Sequence, residues 1–189
     1  YTRDNGTTPV INQGNITGTG KGATGIFVDN GIAENAAGTI ITMTGDDSIG
    51  MVANKNGTII NNGTIIMSGN NVSAMFANIG STAINNNVID MSGNKSTGIL
   101  ADFGDITNTG AGSFIKVTGE ESVGIYGANG TVITNAGTVN IGNKSVGIYG
   151  VNYLTTPELY GNGTININNN GNIISTGTAH GGYGIYANN

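Results

Sequence analysis

The chain has 189 residues, 34 of them glycine, with no cysteine, one histidine, 37% hydrophobic residues, 9% charged residues and a formal net charge of −5. Without cysteine there can be neither disulfides nor thiolate metal sites. Without a basic patch there is no footprint for nucleic acid, and no run approaches the ~18 apolar residues of a membrane helix. Gly- and Asn-rich chains often stay disordered, but here Ile, Val and Met recur at fixed offsets, which argues for a packed object with many tight turns. The chain opens at Tyr1 with neither Met nor a hydrophobic leader, so it reads as a piece of a longer polypeptide.

A Gly-Ile-Tyr-like tripeptide recurs seven times. It stands at Gly25-Ile26-Phe27, Gly50-Met51-Val52, Ala74-Met75-Phe76, Gly98-Ile99-Leu100, Gly124-Ile125-Tyr126, Gly147-Ile148-Tyr149 and Gly184-Ile185-Tyr186. The steps between copies are 25, 24, 24, 26, 23 and 37 residues. A period of this size marks a solenoid. The prediction is an all-β, right-handed parallel β-helix of about seven rungs, three short strands each, spanning residues 1–189 as one segment.

In chain order, each unit opens on a first strand such as Thr58-Ile59-Ile60-Asn61. Short β-branched runs bounded by Gly and Asn read as strands. An Asn-x-Gly corner follows: Asn12-Gln13-Gly14, Asn61-Asn62-Gly63, Asn108-Thr109-Gly110, Asn135-Ala136-Gly137 and Asn169-Asn170-Gly171. Asn85-Asn86-Asn87 replaces the glycine, and Asn35 finds its glycine late, at Gly38. Gly and Asn tolerate positive φ, which a corner turn is expected to need. Stacking would align the Asn amides into a hydrogen-bonded ladder.

The second strand alternates, with Ile41/Met43, Ile65/Met67, Ile89/Met91, Ile115/Val117 and Val139/Ile141 predicted inward. Asp90 and Lys116 then face outward as neighbours on adjacent rungs. A charged turn follows, running Lys21, Asp46-Asp47, Asn70-Asn71, Asn94-Lys95, Glu120-Glu121, Asn143-Lys144 and Ala179-His180, with its sign changing along the stack. In the third strand, Ile26, Met51, Met75, Ile99, Ile125, Ile148 and Ile185 are followed by small residues two places on. That suits a crowded interior and puts Phe27, Val52, Phe76, Leu100, Tyr126, Tyr149 and Tyr186 in an outer stripe. The converse arrangement would make the stripe the core. An outer apolar stripe is a candidate contact surface.

The 37-residue step contains an insertion at 153–163. Tyr153, Leu154, Leu159 and Tyr160 make it apolar for a loop, either as a flap on the rod, which is the favoured reading, or as a contact patch. Candidate contact residues are therefore Tyr153, Leu154, Leu159, Tyr160, Tyr126, Tyr149 and Tyr186.

Chemistry is sparse. A lone His180 supports neither a metal cluster nor a catalytic dyad, and no cofactor or metal is expected. Nine Asn-x-Ser/Thr sequons arise from the turn chemistry itself. Asp90, between Ile66 and Lys116, offers no carboxylate constellation for a polysaccharide-active enzyme, and the calcium-binding Gly/Asp nonapeptide of other β-helices is absent.

Asn61-Asn62-Gly63-Thr64-Ile65, Met91-Ser92-Gly93-Asn94-Lys95-Ser96, and the Ser-Val-Gly-Ile-Tyr-Gly phrases at Ser122 and Ser145 resemble the passenger repeats of large type V autotransporters of anaerobic Gram-negative bacteria. The resemblance covers the chain outside 153–163. It implies a β-helix displayed on the bacterial surface, anchored in the outer membrane through a part not present here. It also implies non-catalytic attachment to a protein or glycan on another bacterium or host cell. A structural spacer or fibre, with end-to-end self-association through open β edges, is the alternative; no partnership with nucleic acid and no membrane insertion by this segment are expected.

Overall fold

The computed structural model describes residues 2–3, 8–153, 163–178 and 181–188. Seven units each supply three strands, and strands of the same rank pair in parallel from unit to unit. The result is three parallel sheets wound as a right-handed β-helix, with no helical residue among those described. A two-residue strand, Thr2–Arg3, pairs with Val28–Asp29 and gives the third-strand sheet an eighth member that the repeat did not reveal.

The predicted inward rows are inward. Ile41, Ile65, Ile89, Ile115 and Val139 lie in register on successive rungs and are fully buried. Met43, Met67, Met91, Val117 and Ile141 form the row beside them, each at most 1% exposed. Burying one such side chain contributes about 1.5–3 kcal/mol, so each rung is held chiefly by apolar atoms of its neighbours. In the third strand, Met51, Met75, Ile99, Ile125 and Ile148 are buried, while Phe76, Leu100, Tyr126 and Tyr149 sit half-buried on the outer face. Three members of these rows depart from the expectation: Ile26 is only partly buried, Ile185 on the last rung is 48% exposed, and Val52, expected outside, is buried. Strict alternation fails at the place before the Ile/Met row, where Ala74 is buried beside Met75 and the ladder between Ser73–Asn78 and Thr97–Asp102 skips the position. It fails again where Val52 is buried between Met51 and Ala53, Ala128 beside Gly127 and Val151 beside Gly150. Glycine holds the Ala74 place in the other units, because a Cβ on Gly50 would lie 2.6 Å from the Ala74 carbonyl oxygen.

The Asn ladder forms along its whole length. Each Nδ2 donates to the Oδ1 one rung on, from Asn12 through Asn35, Asn61, Asn85, Asn108 and Asn135 to Asn169, at 2.7–3.0 Å. The five central members are completely buried. The reason for the adjoining glycine needs correction. Of these corner glycines only Gly38 has positive φ, at 82°. Gly14 has open space around it, but Gly63, Gly110, Gly137 and Gly171 are required by close approach: a Cβ on Gly63 would meet the Asn35 amide nitrogen and the Thr39 carbonyl oxygen at 2.5 Å, and one on Gly137 would meet Ser113 at 2.6 Å.

A second buried ladder runs through the charged turn. The Oγ atoms of Ser48, Ser96, Ser122 and Ser145 accept the amides of Ala23, Val72, Ser96 and Ser122 at 3.1–3.3 Å. Ser96, Ser122 and Ser145 also donate to carbonyls two residues back.

Candidate functional site

Parallel register decides where the tyrosines go. Tyr126 pairs with Tyr149, and Tyr149 with Tyr186, on three successive rungs of the third-strand sheet. Their outward rings stack with centroids 5.1 Å apart at both steps, at interplanar angles of 21° and 6°. Tyr183 meets Tyr186 edge-on at 6.1 Å. Tyr153 joins from the start of the insertion: its hydroxyl lies 2.7 Å from that of Tyr126, and its backbone amide donates to Asn129 Oδ1 at 3.0 Å. The structure thus brings together four of the seven predicted contact residues: Tyr126, Tyr149, Tyr153 and Tyr186. Leu154, Leu159 and Tyr160, like His180, lie outside the described residues.

Stacking has a chemical consequence. Both faces of the Tyr149 ring are covered by neighbours, so the ladder presents ring edges and hydroxyls rather than ring faces. Partial burial, reinforced by the Tyr153 hydrogen bond, raises the Tyr126 pKa well above 10.0. Burial also raises that of Tyr149. Tyr126 and Tyr149 are therefore neutral at physiological pH and offer both donors and acceptors.

The corner after the third strand has a different character. Asn30, Lys55, Ile79, Phe103 and Asn129 each follow the last residue of that strand and hold φ between 40° and 56°. This left-handed turn lets the rung-to-rung bonding continue one residue past the strand. The amides of Asn30, Ile79, Phe103 and Asn129 donate to Asn54, Asp102, Ala128 and Val151 carbonyls at 3.0–3.3 Å. Asn tolerates the conformation, whereas a left-handed turn costs most other residues about 1–2 kcal/mol and is a true outlier for β-branched Ile. Ile79 and Phe103 sit on consecutive rungs and border an open groove of about 330 Å³ with Gly80, Gly104, Asp105, Asn129 and Gly130. Asn129 also donates to Asp102 Oδ1 at 2.7 Å, and Gly130 donates to the Gly163 carbonyl at 3.1 Å. Both ends of the 153–163 insertion are therefore tied to the rim of this groove.

The charged turn is an edge of alternating ion pairs: Lys21–Asp47 at 3.0 Å, Lys95–Glu121 at 3.9 Å and Lys144–Glu120 at 3.2 Å. The Asn71 amide and then Lys21 hold the Asp47 carboxyl below its ordinary range, and Asp47 raises Lys21. The outward Asp90–Lys116 pair forms as expected, at 3.1 Å. Among the described residues there is no group of three or more His, Cys, Asp or Glu that could hold a metal ion.

The groove residues Ile79 and Phe103 escaped the sequence reading. Their signal was present, since they fill a column that carries Asn30 and Asn129 in other units. No family model, no curated protein and no solved structure matches the chain.

Proposed function

We propose that this chain is a passenger segment of a bacterial surface adhesin, and that it attaches to a protein or glycan on another cell through the outer face of the third-strand sheet. The observation that carries the reading is the tyrosine ladder. Its rings lie outside the core, so rung stacking does not require them, and Tyr153 reaches from the insertion to extend the same surface. Tyrosine supplies large, rigid contact area with a polar tip and is enriched at interfaces. A stack of rungs serves display, because rungs add length without changing the face presented. The passenger-repeat resemblance supplies the cellular setting.

The test is retention of the purified, fluorescently labelled chain on bacterial and epithelial cells, compared with a Tyr126→Ser/Tyr149→Ser variant whose β-sheet circular dichroism is unchanged. The expected result is cell binding that falls at least tenfold in the variant. Binding that survives in full would move the contact off this face. An unmodified chain that binds no cell would leave a spacer.

A further inference from the structure

We propose that Tyr126 and Tyr153 form an oxidative modification site. A one-electron oxidant of phenols, of the class that haem peroxidases generate from hydrogen peroxide, couples the two rings into a dityrosine. The link clamps the start of the insertion to the β-helix. This needs no binding partner and stands apart from the adhesin reading.

The argument begins with where oxidising equivalents can go. The chain has no cysteine and no tryptophan. Its five methionines are each at most 1% exposed, and oxidation of thioethers follows exposure. Among the described residues, tyrosine is therefore the oxidisable side chain that faces solvent. Tyr153, 62% exposed, is open to a diffusible oxidant.

Geometry then selects the pair. The Tyr126 and Tyr153 hydroxyls lie 2.7 Å apart, an ordinary O–H···O length. In a dityrosine the new bond joins the ring carbons next to those bearing the hydroxyls, so the two hydroxyls finish side by side. The native pair already holds its hydroxyls in that relation. Both partners are fixed: Tyr149 stacks on the Tyr126 ring, and the Tyr153 amide donates to Asn129 Oδ1 at 3.0 Å. The pairs Tyr126–Tyr149 and Tyr149–Tyr186 meet face to face and would have to slide out of their stack to couple. Tyr183 meets Tyr186 edge-on, with centroids 6.1 Å apart.

In the coupling step each phenol gives one electron to the oxidant and its hydroxyl proton to water, leaving two phenoxyl radicals. The unpaired electrons form the carbon–carbon bond, and each ring then moves the hydrogen of its coupled carbon to its own oxygen. Two hydrogens leave the protein, and one hydrogen peroxide becomes two waters. A pair held in place reacts at an effective concentration far above that of any second chain, so the link forms within the chain.

The test oxidises the purified chain with photogenerated ruthenium(III) tris-bipyridine and digests the product with trypsin. Cleavage after Lys116 and Lys144 leaves Tyr126 in segment 117–144 and Tyr153 in segment 145–189. The expected product is these two segments joined, lighter by two hydrogens, with dityrosine fluorescence and a yield unchanged on dilution. Tyr126→Phe and Tyr153→Phe, each with unchanged β-sheet circular dichroism, should lose the joined product. Tyr149→Phe and Tyr160→Phe should keep it. A product that survives in Tyr153→Phe and vanishes in Tyr149→Phe would overturn the assignment. So would dityrosine found only between chains or only within 145–189. A folded chain that gives none, while its urea-unfolded form does, would overturn it as well. None of these outcomes bears on cell binding, so the adhesin reading stands or falls by its own test.

Discussion

The two corners that flank the first strand are built on opposite principles. The corner after it places an inward Asn in all seven units, and six of the seven amides donate to the next Asn. The corner before it, after the third strand, keeps one backbone conformation while its side chains change from Asn30 to Lys55, Ile79, Phe103 and Asn129. The first is buried, so any departure strands a polar group in the core. The second faces outward, so departures cost only local strain and leave room for a partner. Uniformity within one chain thus marks structure, and variation on a fixed backbone marks a surface free to acquire function.

The largest effect should come from breaking the uniform corner. In Asn85→Ala, Asn108 Oδ1 loses its donor, Asn61 Nδ2 loses its 2.9 Å acceptor, and the Asn87 carbonyl loses a 2.7 Å bond. A buried polar group left unsatisfied costs about 1–3 kcal/mol, so the variant should lose about 3 kcal/mol or more. Urea unfolding measures it, and a loss below about 1 kcal/mol would mean that the ladder is decorative. The ladder is polar in direction, so the injury should extend both ways from the deletion and lower hydrogen-exchange protection at the neighbouring rungs.

The variable corner should respond with the opposite sign. Phe103→Gly and Ile79→Gly each remove a left-handed L-residue from a position glycine occupies freely. Each is expected to stabilise the protein by about 1 kcal/mol, seen as a higher melting temperature. A destabilising result would show that these side chains pack structurally and would weaken the contrast between the corners.

That contrast was half legible beforehand. Inward rows such as Ile41 to Val139 could be read because strand alternation fixes the face and seven copies fix the offset. The Asn ladder followed from the same logic. The role of Gly63 and Gly137 could not be read, because close approach and positive φ select the same residue and only coordinates separate them. The buried serines hid for a related reason: Ser48, Ser96, Ser122 and Ser145 look like turn residues until their Oγ atoms are seen to accept amides from the preceding rung. Tyr153 stands out in the sequence as an apolar loop residue, but its bond to Tyr126 crosses 27 residues through a corner whose path no local pattern gives.

On the outer face, the tyrosine ladder gives a smaller, pH-dependent signal. In the unfolded chain the Tyr126 hydroxyl ionises near 10.0, and in the fold its pKa is raised, mainly by burial. Between those values the unfolded state holds fewer protons than the native one, so stability must fall as pH rises. Below the unfolded value the contribution is complete. Thermal melting from pH 8 to 11.5 should show a decline beginning near pH 9.5 that is reduced in Tyr126→Phe. An identical decline in that variant would place the alkaline sensitivity elsewhere.

The smallest effect belongs to the outward columns of the second-strand sheet. Asp90 and Lys116 meet at 3.1 Å, but both side chains are about two-fifths exposed. Such a pair gains little over its separate hydration and is screened by salt. A double-mutant cycle with Asp90→Asn and Lys116→Met should give a coupling of about 0.5 kcal/mol at low salt, shrinking toward zero at high salt. Ile89 and Met91, which flank Asp90 in the same strand, are fully buried. Truncating either to Ala should cost about 2–5 kcal/mol regardless of salt. A coupling above about 2 kcal/mol would mean that outward columns also hold the rungs together, and the argument that outer variation is free for function would then fail.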